Sequence, residues 1–139
     1  MLIANQWGMA TMLLAALIVA LTVVLLLVTA VVVARARGKY GIRAPATGGH
    51  PAFDRAFRVQ ANTQEAALMF LPTFALAAWL GDVRLAAMFG AVWLVARAWY
   101  VASYLRDAAK RGPAFALGMV MQVALLVQVF TELARAAAG

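Results

Sequence analysis

The first 34 residues carry no charged side chain, and this run restricts the fold more than any other feature of the chain. Its apolar part, Met9–Ala34, is longer than the roughly 20 residues that a helix needs to cross the hydrocarbon core of a bilayer. A cleaved signal peptide would begin with basic residues and have an apolar run of about 7–15 residues. Because the segment has neither property, we expect a retained membrane-spanning helix.

Three further apolar segments follow the first one. Of all residues, 66% are hydrophobic, against roughly 45–50% in soluble domains, so lipid must contact much of the surface. Gly81 and Asp82 predict a tight turn, and Pro113 suits the first turn of a helix. We expect an all-α fold, an integral-membrane up-down bundle of four helices that forms a single domain over residues 1–139. The predicted spans are residues 9–34, 55–80, 85–106 and 113–133, with a long loop at residues 35–54.

The net charge of +7 is concentrated at two of the three connections. These basic residues are Arg35, Arg37, Lys39 and Arg43 in the first connection, and Arg106, Lys110 and Arg111 in the third. With four spans the two connections share one side of the membrane, which the positive-inside rule makes cytoplasmic. Both termini are then outside, and anionic lipid head groups rather than nucleic acid are the expected partners of the charge. The Ala/Arg-rich composition favours a bacterial inner membrane.

The cysteine content limits the chemistry. There is no cysteine and only one histidine, His50, so a disulfide, a thiolate metal site and a protein thiol nucleophile are excluded, and no metal centre is expected. His50 lies in the polar first loop and is assigned no role.

Two polar stripes interrupt the apolar spans. Polar groups in hydrocarbon are costly, and an ionisable residue within a span indicates a functional site. In the second span the spacings of four and three place the polar residues on one helical face, at its cytoplasmic end. In the third span, spacings of three, four and seven residues also place the polar residues on one helical face, provided that the helix continues as far as Arg111. The stripes consist of Arg58, Asn62 and Glu65 in one span, and Arg97, Tyr100, Tyr104 and Arg111 in the other.

These side chains suit a particular kind of ligand. Arginine binds carboxylates through two hydrogen bonds, and Glu65 can hold an ammonium group. An anionic molecule that also carries an amine fits both. If that molecule brought a thiol, Arg111 or a tyrosine hydroxyl could lower the pKa of the thiol and favour the thiolate.

The segments PAFDRAFRVQANTQE (51–65) and RAWYVASYLRDAAKR (97–111) resemble the MAPEG family, the membrane-associated proteins in eicosanoid and glutathione metabolism. The resemblance covers the length and order of all four spans. It implies a homotrimer that binds glutathione, as a co-substrate, between neighbouring subunits at the cytoplasmic side. It assigns thiol activation to Arg111. It assigns glutathione binding to Arg37, Arg58, Asn62, Glu65, Tyr100 and Tyr104.

We therefore expect a membrane-embedded glutathione transferase whose thiolate attacks a lipophilic electrophile arriving from the bilayer. The same thiolate would serve a peroxidase, and the sequence does not separate the two activities. The sequence departs from the family at Ala66, where a tyrosine often stands. This departure favours an alternative function, a non-catalytic lipid-binding protein of the same family.

Less specific interpretations stand beside these. Glu65 and Arg97 could form a buried ion pair that fixes the register of two helices. Gln122 and Gln128 are expected to make hydrogen bonds between helices. A four-span multidrug exporter is disfavoured, because the essential glutamate of such exporters lies in the first span, and here that span is uncharged.

Overall fold

Four helices account for most of the chain. The computed structural model describes the backbone of residues 2–139 and the side chains of residues 8–139. The helices are α1 (Leu2–Lys39), α2 (Pro51–Leu80), α3 (Val83–Arg106) and α4 (Gly112–Ala138), and a short 3₁₀ turn at Ala108–Arg111 joins the last two. The predicted all-α fold is confirmed.

The first loop is shorter than the sequence suggested, because local capping extends α2 backwards. Pro51 occupies the first turn of α2, where its missing N–H costs nothing. His50 precedes it, and its Nδ1 accepts a hydrogen bond from the Ala52 N–H at 3.2 Å. The His50 ring also stacks on Tyr40, with the ring centroids 3.7 Å apart. The expectation that His50 has no role is therefore wrong in structural terms, since it caps a helix.

The ends of α3 are set by two aspartates. The carboxylate of Asp82 accepts the Arg84 N–H at 2.8 Å, which starts the helix directly after the predicted tight turn. At the other end Asp107 adopts an extended backbone, and its carboxylate accepts the Ala109 N–H at 3.0 Å. The helix therefore stops at Arg106. The predicted alignment of Arg111 with the α3 tyrosines required a helix that continues to Arg111, and this expectation is wrong.

The helices pack with α2 and α3 at the centre. Helix α1 contacts α2 and α3 on one side, and α4 contacts the same two helices on the other. Val33, near the end of α1, clusters with Phe53 at the start of α2, as antiparallel neighbours do. The Phe70 ring stacks on the Trp93 ring at a centroid distance of 3.7 Å and joins α2 to α3 in the core.

Hydrogen bonds from two glutamine side chains tie α4 to α2 and to the turn that follows α2. Gln122 donates from Nε2 to the Thr73 hydroxyl at 3.1 Å. Gln128 donates from Nε2 to the carbonyl oxygens of Ala77 and Asp82, at 3.2 and 2.9 Å. Both glutamines therefore make the interhelical hydrogen bonds that the sequence predicted.

Three helices are long and apolar enough to cross a membrane: Gly8–Lys39 within α1, Val83–Arg106, and Ala108–Ala138, which includes the 3₁₀ turn. Helix α2 has 30 residues and a length of about 45 Å at 1.5 Å per residue. Its first half, however, carries Asp54, Arg55, Arg58 and Glu65. The prediction of a span is thus confirmed for three helices, and α2 combines a polar half with an apolar one.

Candidate functional site

A cleft of about 840 Å³ opens between α2, α3, α4 and the 3₁₀ turn. Helix α2 runs antiparallel to α3, so the polar start of one lies beside the end of the other. The apolar part of the wall includes Met69, Trp93 and Phe115. The polar side chains that line the cleft are Asn62, Glu65, Arg97, Tyr100, Arg111 and Gln122.

A hydrogen bond across the cleft joins the two predicted polar stripes. The Asn62 Nδ2 donates to the Tyr100 hydroxyl oxygen at 2.8 Å, and Tyr100 is only 2% exposed. Because the phenol oxygen accepts this bond, its own O–H remains able to donate. Asn62 also keeps its side-chain oxygen as an acceptor. The pair therefore offers a ligand one donor and one acceptor on a fixed framework.

Arg111 reaches the mouth of the cleft through the 3₁₀ turn. Its Nη1 donates to the Ala108 carbonyl at 2.6 Å, and its guanidinium carbon lies 5.2 Å from the centre of the Tyr104 ring. The Tyr104 ring lies 5.6 Å from the Tyr100 ring. The turn thus folds Arg111 back over the Tyr104 ring. A continued helix would keep Arg111 on the same face but would carry it about 10 Å further along the axis of α3. The Arg111 side chain is exposed, so a ligand can approach it.

Arg97 lies deeper in the cleft and is 4% exposed. Its guanidinium carbon is 4.7 Å from the centre of the Tyr100 ring and 5.6 Å from that of Trp93. Glu65 lines the same cleft, but the two side chains form no ion pair within residues 8–139. A register-fixing pair of Glu65 and Arg97 is therefore not formed within the described residues of this chain. The cleft holds two cations and one carboxylate, which favours an anionic ligand.

The sequence of the chain is similar to a known family and to several known proteins. A sequence profile of the MAPEG family matches residues 12–131. The chain belongs to the MAPEG family. It is 46% identical over 112 residues to an uncharacterised protein of Synechocystis sp., covering 81% of this chain and 82% of that one. It is 34% identical over 98 residues to the microsomal glutathione S-transferase 2 of Bos taurus, covering 70% of this chain and 67% of that one. The corresponding human protein is 36% identical over 90 residues, with coverage of 65% and 61%.

The family and the three apolar helices together identify a membrane protein. Three of the six residues predicted for glutathione binding do not line the cleft of this MAPEG protein, namely Arg37, Arg58 and Tyr104. Arg58 lies one turn before Asn62 on α2, and its side chain is exposed. Arg37 donates from Nη1 to the Ala46 carbonyl at 3.0 Å, and its guanidinium carbon lies 4.9 Å from the centre of the Phe53 ring. Arg37 thus anchors the first loop against α2.

The structure therefore brings together Asn62, Glu65, Tyr100 and Arg111, with Tyr104 beside them. It also adds residues that the sequence did not assign to a ligand. Arg97 belongs to the polar stripe predicted for the third span, through its spacing of three before Tyr100, but the resemblance did not assign it to glutathione. Gln122 carries no such signal, because a lone amide in an apolar helix is typical of interhelical hydrogen bonding.

Proposed function

We propose that this MAPEG protein is a glutathione transferase that joins glutathione to lipophilic electrophiles. The observation that supports the proposal most directly is the meeting of Asn62, Glu65, Tyr100 and Arg111 in one cleft. The family includes proteins named as microsomal glutathione S-transferases, which makes glutathione the first ligand to test. The cleft also has the inventory for glutathione, a peptide with two carboxylates, an ammonium group and a thiol.

Each polar group has a partner in such a ligand. Glu65 would hold the ammonium group, and the Asn62–Tyr100 pair would hold a peptide amide or a carboxylate. Arg111 would stabilise the thiolate, since one of its N–H groups is committed to the Ala108 carbonyl and others remain. A thiolate rather than a thiol is the attacking nucleophile, and a nearby cation raises its population at neutral pH.

The reaction brings a membrane-dissolved acceptor to a fixed thiolate. With an aryl halide the sulfur forms a bond to carbon, the carbon–halogen bond breaks, and halide leaves. The acceptor can approach along α4, where Phe115 is 47% exposed and Met119 is 39% exposed at the wall of the cleft. Holding both reactants at one boundary replaces a bimolecular encounter and contributes much of the rate.

Arg37 and Arg58 enter the proposal through assembly. Within one protomer neither lines the cleft. We propose that the protein forms a homotrimer, and that these two arginines contact glutathione bound between neighbouring protomers. The apolar surface of α1, including Met12, Leu13 and Leu27 at 62–65% exposure, would face lipid or a neighbour.

We also propose that the cleft opens at the cytoplasmic side of a bacterial inner membrane. The basic residues of the first loop and of the 3₁₀ turn support this topology. Because the chain has no cysteine, Gly38→Cys and Gly139→Cys can each be labelled alone. A membrane-impermeant maleimide added to intact cells should label position 139 and not position 38, and the reverse pattern would invert the topology.

The decisive experiment is a conjugation assay on the purified protein with glutathione and an aryl chloride. Glutathione-dependent formation of the thioether above the uncatalysed rate is the expected result. The alternative function, lipid binding without catalysis, is favoured by Ala66, a small buried residue at the cleft wall. Titration calorimetry separates the two, because an absence of heat at millimolar glutathione would support the alternative.

A further inference from the structure

A second cavity lies between α3 and α4, at the end of the bundle away from the mouth of the cleft. Its volume is about 370 Å³, which falls within the roughly 300–1,000 Å³ of ligand sites. Glu132 at this cavity lies about 26 Å along α4 from Phe115 of the cleft, at 1.5 Å per residue. The polar part of this cavity is therefore remote from the proposed reaction.

The lining of the cavity changes from apolar to polar along α4. Gln128 lies level with the turn between α2 and α3, because its Nε2 donates to the Asp82 carbonyl at 2.9 Å. Glu132 and Arg135 follow about 6 and 10 Å further along the helix, away from the bilayer centre. The apolar part of the lining includes Leu85, Phe89 and Val127. This order suits an amphiphile whose polar head lies at the membrane boundary.

The polar end of the cavity carries one charge of each sign. The Arg135 Nη1 donates to the Glu132 Oε1 at 2.6 Å, and the two side chains are 70% and 26% exposed. Because the pair is neutral overall, it attracts neither an anionic nor a cationic head group by net charge. A zwitterionic head group would give each side chain an opposite charge, an ammonium for Glu132 and a phosphate for Arg135.

Gln128 adds a hydrogen-bond acceptor that lacks a partner. The residue is 7% exposed, and its Nε2 is committed to the Ala77 and Asp82 carbonyls. Within residues 8–139 its Oε1 has no hydrogen-bond partner, which is costly for a buried acceptor. A primary ammonium carries three N–H donors and can serve both Glu132 and Gln128, whereas a trimethylammonium group has none.

A groove of apolar character adjoins the cavity on the other side of α4. Val127, Thr131 and Arg135 line both spaces, and their intervals of four make them one ridge of the helix. Phe130 and Ala134 line the groove alone. The ridge thus separates two spaces that converge on the same arginine, as the two acyl chains of a phospholipid converge on one phosphate.

We propose that this cavity binds one molecule of phosphatidylethanolamine. The ammonium group contacts Glu132 and Gln128, and the phosphate contacts Arg135. One acyl chain lies in the cavity against Phe89, and the other lies in the adjoining groove against Phe130. The site does not depend on the transferase proposal.

The test measures lipid adducts of the purified full chain by native mass spectrometry. The protein is equilibrated in detergent with equal amounts of dioleoyl phosphatidylethanolamine, phosphatidylcholine and phosphatidylglycerol. We expect phosphatidylethanolamine to bind about tenfold more tightly than either of the others, the effect of one charge-assisted hydrogen bond. Phosphatidyl-N,N-dimethylethanolamine, which keeps the charge but has a single N–H, should bind with intermediate affinity.

Two variants locate the binding. Glu132→Gln should weaken phosphatidylethanolamine about tenfold and leave phosphatidylcholine unchanged. Arg135→Gln should weaken both lipids, because both carry the phosphate, and it serves as the deciding variant should Glu132→Gln fail to fold. Arg106→Gln removes an exposed arginine at the opposite end of α3 and should alter none of the affinities.

Other outcomes would overturn the inference. Equal binding of the three lipids would show an unselective helix surface. Tighter binding of phosphatidylglycerol would show that Arg135 attracts anionic lipid by charge alone. A preference for phosphatidylethanolamine that survives both variants would place that lipid elsewhere. If no lipid is retained, another occupant, such as a second copy of the chain, covers the cavity. Since conjugation is not the readout, this inference and the transferase proposal fail independently.

Discussion

Replacing Arg111 by alanine should shift the pH dependence of conjugation without abolishing glutathione binding. The side chain is exposed, and within the described side chains its contacts are the Ala108 carbonyl and the Tyr104 ring. Its loss should therefore disturb the fold little. The guanidinium is proposed to stabilise the thiolate, so the variant should bind glutathione with its thiol protonated.

The magnitude follows from the position of Arg111. An opposite charge within about 4–6 Å lowers an acid's pKa by roughly 1–3 units, and solvent screening at an exposed site favours the lower end. One unit of pKa corresponds to about 1.4 kcal/mol and a tenfold change in the thiolate population below the pKa. We therefore expect Arg111→Ala to raise the pKa of the bound thiol by about one unit and to lower the rate about tenfold at pH 7.

The assay is the ultraviolet absorbance of the bound thiolate, followed against pH beside the conjugation rate. Because the wild-type pKa is the lower one, the lost rate should return as the pH rises through the raised pKa of the variant. Arg106→Ala removes a neighbouring exposed arginine that does not line the cleft, and should behave as wild type. An Arg111→Ala variant with unchanged rate and unchanged pH profile would refute the assignment.

Three further predictions concern binding and packing. Arg58→Ala should raise the dissociation constant for glutathione about tenfold by calorimetry, as the loss of a charge-assisted hydrogen bond does, and an unchanged affinity would contradict its role. Gly90→Ala should destabilise the protein by about 1–3 kcal/mol in thermal unfolding, because an added Cβ would lie 2.5 Å from the Phe74 ring, and equal stability would show that the ring yields. Gln128→Leu should cost about 0.6–1.7 kcal/mol by losing its two carbonyl partners on the α2 side, with conjugation unaffected; a change in activity would argue against a purely structural role.

The helix ends were predictable where local chemistry decides them. The turn at Gly81-Asp82 and the position of Pro113 in the first turn of α4 both match the sequence. The end of α3 at Asp107 was harder to predict, because an aspartate can either continue a helix on its exposed face or cap the next turn. The extended backbone at Asp107 settles that choice, and with it the route by which Arg111 reaches the tyrosines.

The candidate site was predictable in part, since helical periodicity gives faces but not distances. It placed Asn62 and Tyr100 on faces that meet, and the structure joins them at 2.8 Å. It could not show that Arg58, one turn away on the same face, lies outside the cleft. It also could not show that Arg97 forms no ion pair with the side chains of residues 8–139, because ion pairing depends on side-chain separations of a few ångströms between helices.

Because α1 and α4 lie on opposite sides of α2 and α3, mutations in the outer surface of α1 and mutations in the cleft can change different properties of the protein. Helix α1 packs on α2 and α3 opposite α4, and within residues 8–139 it contributes no side chain to the cleft wall. Mutational libraries at Met69, Phe115 and Met119 should therefore retune acceptor preference. Libraries at lipid-facing positions of α1 away from Arg37 should instead change how the protein matches bilayer thickness, which would let one catalytic design spread among different membranes.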